Sequence, residues 1–178
     1  MKTFKQLFPL LALVIAAGHA VSDEHSELIA DALSAAPISM RDKATVMDWN
    51  NNILQEGDGS YVCYPTPPTL QGTAPMCLDG PWQQWANAWI NKQPHTPSDL
   101  GIAYMLAGDA GASNVDPYAE GKTDDNEWVE EGPHLMIIVP NSDLLNSLPT
   151  DPQNGGPYVM WKGTDYAHIM VPVTMDSK

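Results

Sequence analysis

The chain has 178 residues, with 8 lysines and arginines against 22 aspartates and glutamates, and a formal net charge of −14. This charge excludes a protein that binds nucleic acid by neutralising phosphates. A hydrophobic content of 43% and a charged content of 17% are typical of a folded chain, not of a disordered acidic segment. Two cysteines are too few for a disulfide-built scaffold, so the composition predicts one acidic globular domain.

The N-terminus has the pattern of a secretory signal peptide. Two lysines precede an apolar run over residues 10–17, and Gly18-His19-Ala20 supplies the small residues expected before a cleavage site. The apolar run is too short to span a bilayer, and no later segment is long enough, so we expect no membrane span in the mature chain. We predict a signal peptide over residues 1–20, a single domain over residues 21–178 and a periplasmic or secreted location. Cleavage would remove two lysines and no acid, taking the charge from −14 to −16.

A helix is predicted over residues 23–36. Ser22 is placed to cap this helix, and apolar residues recur at helical spacing at Leu28, Ile29, Ala32 and Leu33. Strands are predicted over residues 44–49 and 60–64, the second directly after a glycine-rich turn.

Residues 65–80 are predicted to form an ordered loop, because they carry four prolines. Cys63 and Cys77 enclose most of this segment, and their spacing is not the C-x-x-C of a redox-active pair. In an oxidising compartment, a disulfide that closes a loop of about 15 residues stabilises a fold by about 3 kcal/mol. We therefore predict a structural disulfide between Cys63 and Cys77.

Pro81 opens a second predicted helix, since proline is common at the first helical position. Trp82, Trp85 and Trp89 follow at i, i+3 and i+7, so they share one helical face. Packed on a sheet, the three indoles would be a large hydrophobic part of the core. Exposed, they would form an aromatic platform for a small molecule or a glycan, which is one alternative function.

The remaining predicted elements follow in chain order: a strand over 101–107, a long loop over 108–133, a strand over 135–139, a short helix over 142–148, and two strands over 158–162 and 166–173. Gly163-Thr164-Asp165 between the last two strands is the strongest hairpin signal in the chain. Because strands and helices do not alternate regularly, we predict an α+β fold with a mostly antiparallel sheet and two or three helices.

Two H-x-M motifs, within residues 133–137 and 167–171, are the sharpest chemical signal. Residues two apart in a strand point to one face, so His134 and Met136 should lie side by side, as should His168 and Met170. Imidazole and thioether groups form a soft ligand set that suits copper, especially Cu(I). Met105 and Met160 lie in other predicted strands and could join the cluster. The competing interpretation is a core in which methionines fill gaps and each histidine is hydrogen-bonded.

An acidic loop offers a weaker metal hypothesis. Only Lys122 opposes its carboxylates, which belong to Asp109, Asp116, Glu120, Asp124, Asp125, Glu127, Glu130 and Glu131. Oxygen-rich loops bind Ca²⁺, and residues 113–116 offer side-chain and backbone oxygens. The spacing of an EF-hand is absent, so a solvated surface loop is the favoured interpretation.

A hydrolase is the third interpretation, although no nucleophile elbow, H-E-x-x-H or S-x-x-K motif is present and an enzyme is less favoured than a binding protein. His134 or His168 would act as a general base near a carboxylate. For His168 the candidate carboxylates are Asp165 and Asp109, and Ser113 is a candidate nucleophile.

The chain also resembles a family of short uncharacterised exported bacterial proteins with no assigned activity. The resemblance is carried by these segments: Pro75-Met76-Cys77, Gly108-Asp109, Ser113-Asn114, Asp116-Pro117, Gly132-Pro133-His134 and Tyr158-Val159-Met160-Trp161-Lys162-Gly163. It covers most of the mature chain. It implies an exported single domain and brings no catalytic or binding residues.

Overall fold

The structure is a computed structural model that describes residues 17–173 of the chain. The helices in this range are α1 (Ala17–Ser34), α2 (Ile38–Arg41), α3 (Gly80–Ile90) and a 3-10 helix (Ser142–Ser147). The strands are β1 (Thr45–Met47), β2 (Ile53–Gln55), β3 (Val62–Tyr64), β4 (Met76–Leu78), β5 (Gly101–Met105), β6 (Ala112–Ser113), β7 (Trp128–Val129), β8 (His134–Ile138), β9 (Tyr158–Met160) and β10 (His168–Pro172).

Eight of these strands form one sheet, in the order β2-β1-β3-β4-β5-β8-β10-β9. Every described pairing in the sheet is antiparallel except that of β1 with β3, which is parallel. Strands β6 and β7 form a separate two-stranded sheet. The predicted mostly antiparallel sheet with helices is confirmed, with four helical segments among residues 17–173 where two or three were predicted.

Helix α1 packs on one face of the sheet, over strands β1–β4. The core beneath it is built from small residues, among them Ala32, Ala35 and Val46, and it includes both cysteines. Cys63 and Cys77 are direct partners across β3 and β4 and form a disulfide. The predicted disulfide is therefore confirmed, whereas the predicted loop over residues 65–80 is wrong where β4 lies.

Helix α3 packs on the opposite face, chiefly against β5. Asp79 caps it by accepting a hydrogen bond from the amide of Trp82 (3.0 Å). The other carboxylate oxygen of Asp79 accepts from the amide of Ile102 (2.6 Å), which ties the start of the helix to the strand. The helix predicted at Pro81 is confirmed, and its first-turn geometry fixes where the tryptophans enter the core.

Other element predictions met mixed outcomes. Four predicted strands and one predicted hairpin are confirmed in shorter or shifted form. They are the strands at 44–49, 60–64, 101–107 and 135–139 and the hairpin after residue 158. Ser22 lies inside α1 instead of capping it, and the short helix predicted over 142–148 is a 3-10 helix capped by Asn141. Of the predicted signal peptide, residues 1–16 lie outside the described range, so that prediction is not tested there. No helix within residues 17–173 is both long and apolar enough to cross a bilayer.

Candidate metal site

The two H-x-M segments are neighbours in the sheet, as strands β8 and β10. They pair antiparallel, with Met136 directly opposite Met170. His134 and His168 each lie two residues from these methionines, so the four side chains share one face. All four residues are buried. The methionines therefore lie in the middle of the paired strands, and the imidazoles lie toward opposite ends.

Two further methionines flank this group on β5 and β9, the strands on either side of the β8–β10 pair. Met105 of β5 is the partner of His134, and Met160 of β9 is the partner of His168. Both are buried, and the even spacing of partners puts them on the same side of the sheet. We call this surface the His/Met face, and its members are Met105, His134, Met136, Met160, His168 and Met170.

Both imidazoles on the His/Met face have the same hydrogen bond to the backbone. His134 Nδ1 lies 2.8 Å from the carbonyl of Gly132, and His168 Nδ1 lies 2.9 Å from the carbonyl of Tyr166. Because a carbonyl only accepts, each Nδ1 must carry the proton. When either ring is neutral, its lone pair is therefore on Nε2, which is the tautomer that metal-binding histidines present to an ion.

His168 is surrounded by aromatic rings. Its imidazole meets Trp82, Trp85 and Trp161 edge-on, with ring centroids 5.1–5.5 Å apart. Burial in this apolar setting is the main reason that the pKa of His168 is lowered to about 4; the hydrogen bond to the carbonyl of Tyr166 opposes the shift, and the nearby His134 adds to it. His168 is therefore a neutral base at physiological pH.

His134 has a polar setting instead. Its Nε2 is buried without a hydrogen-bond partner and lies 3.8 Å from Asp109 Oδ2. Burial raises the pKa of Asp109, and the neighbouring His134 opposes that rise. The hydroxyl of Tyr158, which is opposite Met170, donates to Glu131 Oε1 (2.8 Å). One end of the His/Met face is therefore lined by carboxylates and the other by indoles.

The proposed tryptophan platform belongs to the core. Trp82 and Trp85 are only 1% and 6% exposed, while Trp89 is half-buried. Trp85 stacks on Trp161 with ring centroids 5.7 Å apart, and Trp89 stacks on Tyr118 at 6.5 Å. Their faces are covered by one another, so this geometry gives the small-molecule or glycan interpretation no support.

Of the two histidines in the hydrolase interpretation, the structure places a carboxylate beside His134. His168 Nδ1 bonds to a carbonyl and not to Asp165 or Asp109, and the carboxylate near an imidazole is Asp109 beside His134. Ser113 Oγ donates to the carbonyl of Asn126 (2.7 Å) and accepts from two backbone amides, so it closes a turn.

The acidic loop contributes to a cleft of about 550 Å³ that is separate from the His/Met face. The cleft is lined by residues 127–130 and 150–153. Asn114 lies behind it and donates to Glu127 Oε2 (3.1 Å) and to the carbonyl of Thr150 (2.9 Å). Ser113 Oγ, a candidate calcium ligand, thus has hydrogen bonds within the fold, whereas Asn114 Oδ1 is buried without a hydrogen-bond partner.

Within residues 17–173, no three side chains drawn from histidine, cysteine, aspartate and glutamate lie together as a metal-binding group. A metal at the His/Met face would therefore depend on the thioethers for most of its ligands. The sequence predicts the four central residues of this face but not the proximity of Asp109 to His134. Asp109 is 25 residues earlier in the chain, and the sequence marks it as part of an acidic loop and as a candidate carboxylate for His168, not for His134.

No family model, curated protein or solved structure matches this chain. The resemblance to exported bacterial proteins therefore stays a prediction, and function has to be argued from the geometry of the site.

Proposed function

We propose that this protein is exported to an oxidising compartment and there binds Cu(I) on the His/Met face. The ligands are drawn from His134, Met136, His168 and Met170. The observation that carries the proposal is the register of β8 and β10, which sets Met136 against Met170 and puts both histidines on the same buried face. The disulfide is consistent with an oxidising compartment.

The chemistry of these donors favours a soft ion. Thioethers and neutral imidazoles bind Cu(I) well and bind Ca²⁺ or Mg²⁺ poorly. Burial keeps His168 neutral well below pH 7, so no proton competes for its lone pair. The hydrogen bond from Nδ1 of each imidazole to a backbone carbonyl fixes the orientation of the ring.

The methionines allow an ion to enter a packed core. A methionine side chain has three rotatable bonds, so its sulfur can move toward an ion while the backbone stays in place. The paired positions Met136 and Met170 start from neighbouring backbone positions, where side chains of antiparallel strands are about 5 Å apart at Cβ.

The proposal is tested by titrating the purified mature protein with Cu(I) against a competing chelator. We expect stoichiometric binding in the wild type and a loss of at least about 100-fold in affinity in a Met136→Leu/Met170→Leu double variant. Leucine conserves volume, so the fold should survive at a cost below about 1.5 kcal/mol per site. Circular dichroism checks that it does.

A matched control replaces methionine away from the site. Met47 is a partly buried residue of β1, outside the His/Met face. A Met47→Leu variant should therefore bind Cu(I) as the wild type does. A His134→Ala/His168→Ala variant should lose binding as well. Unchanged binding in either site variant, or no binding by the wild type, would contradict the proposal.

A further inference from the structure

The two ends of the His/Met face differ in one respect that bears on the oxidation state of the metal. At the His168 end the neighbours are indole rings and Met160. At the His134 end a largely buried carboxylate, Asp109, is 3.8 Å from the imidazole. Carboxylate oxygen is a hard ligand that favours Cu(II) over Cu(I).

The backbone holds Asp109 in this place. Strand β5 ends at Met105, and Gly108 turns the chain with φ +80, a conformation that favours glycine. A Cβ at Gly108 would lie 2.8 Å from the carbonyl of Glu131. The amide of Asp109 then donates to that carbonyl (2.9 Å), which fixes the aspartate beside the start of β8.

The two oxygens of the Asp109 carboxylate have different roles. Oδ1 accepts hydrogen bonds from the amides of Gly111 (2.9 Å) and Glu131 (3.2 Å). Oδ2 is the oxygen that faces His134 Nε2. The carboxylate is therefore oriented by the backbone, and its second oxygen is directed at the imidazole.

The gap between Asp109 Oδ2 and His134 Nε2 suits a bridging cation. At 3.8 Å it is longer than a hydrogen bond, which spans about 2.7–3.2 Å. Two donors that each lie about 2.0–2.2 Å from one ion are at most about 4 Å apart. Nε2 is fully buried and has no hydrogen-bond partner, so it and Asp109 Oδ2 face each other across a space that a cation would fill.

We infer that Asp109 is a further metal ligand, which together with His134 makes this end of the His/Met face a site for Cu(II). Met105, the cross-strand partner of His134, is the nearest thioether by register. This inference rests on the proposed function, because it names how the same face would hold copper in its oxidised state.

The test compares the wild type with Asp109→Asn in the full mature chain, using Cu(II) sulfate and Cu(I) in separate competition titrations. Asparagine is close to aspartate in shape, and its Oδ1 can keep both backbone hydrogen bonds, so the fold should be retained. We expect the Kd for Cu(II) to rise at least tenfold and the Kd for Cu(I) to change less than threefold. A tenfold difference in affinity raises the reduction potential of the bound copper by about 59 mV.

A matched control is Asp124→Asn, which removes an exposed carboxylate from the same acidic loop. It should leave both affinities and the reduction potential unchanged. Electron paramagnetic resonance of the Cu(II) form gives a second readout, because losing an oxygen ligand alters the spectrum of Asp109→Asn but not that of the control.

Three results would overturn the inference. One is an unchanged Kd for Cu(II) in Asp109→Asn, as expected if the aspartate only pairs with a protonated His134. Another is an equal loss of both affinities, as expected of general damage to the site. The third is equal weakening by the control variant. Failure of the proposed function is distinguishable, since the wild type would then bind no Cu(I) at all.

Discussion

The two halves of the main sheet have cores of different composition. Under α1, strands β1–β4 enclose small apolar residues and a disulfide. Under α3, strands β5, β8, β10 and β9 enclose tryptophans, methionines and two histidines. Among the described residues, buried side-chain polar atoms without a partner are found on Trp82, Trp85, His95, Asn114 and His134, and none is in the disulfide half.

The difference distinguishes residues that packing alone explains from buried polar residues that packing does not explain. A half built from alanine, valine and a covalent bond needs no polar partners, and its residues are explained by packing. Buried polar groups are costly unless they are satisfied, so the unpartnered atoms of Trp82, Trp85 and His134 in the other half call for a second explanation. The proposed ion at the His/Met face would be that explanation for His134.

The comparison predicts that removing the disulfide weakens the fold and leaves copper binding intact. A Cys63→Ala/Cys77→Ala variant should lose about 2–5 kcal/mol of unfolding free energy, measured by urea denaturation. Its Cu(I) stoichiometry should be unchanged, because Cys77 lies on the α1 side of the sheet and Leu78, its neighbour, on the His/Met side. Loss of copper binding by a variant that still folds would contradict the separation of the two halves.

Burial of His168 predicts a pH dependence of stability in the metal-free protein. Its folded pKa is about 4 against an ordinary value of 6.5, so between these values the unfolded chain binds a proton that the folded chain does not. Stability should therefore fall as pH drops through this window, by about 3 kcal/mol in total. The other groups that influence the ring are the carbonyl of Tyr166 and His134.

The measurement is the unfolding free energy of wild type and His168→Gln between pH 4.5 and 6.5. Subtracting the two removes the contribution of the carboxylates, and the wild type should show the steeper slope, by up to about 1.4 kcal/mol per pH unit. Parallel slopes would show that His168 binds its proton in the folded chain as readily as in the unfolded chain, which would contradict the lowered pKa.

A smaller effect is predicted at the polar end of the His/Met face. Tyr158→Phe removes the hydroxyl that donates to Glu131, and it should cost about 1–2 kcal/mol of unfolding free energy. As a control, Tyr118→Phe should cost less than about 0.5 kcal/mol, because that ring is at the surface and its hydroxyl contact is 3.5 Å long. Equal costs would mean that the Tyr158 bond contributes nothing measurable.

Sequence periodicity predicted the shared face of each H-x-M motif, because side chains alternate in any strand. It could not predict that Met105 and Met160 are the outer partners, since register between distant strands depends on the whole sheet. Strand β4 was missed because it is three residues long and directly follows a proline. Asp109 was weighed against the wrong histidine, since the turn at Gly108 decides which imidazole it meets.

X-ray absorption spectroscopy of the Cu(I)-loaded mature protein tests the central claim most directly, because it counts the atoms bound to copper. We predict sulfur at about 2.3 Å together with nitrogen at about 2.0 Å, and loss of the sulfur shell in Met136→Leu/Met170→Leu. A wild-type spectrum with only oxygen or nitrogen neighbours would contradict copper binding on the His/Met face.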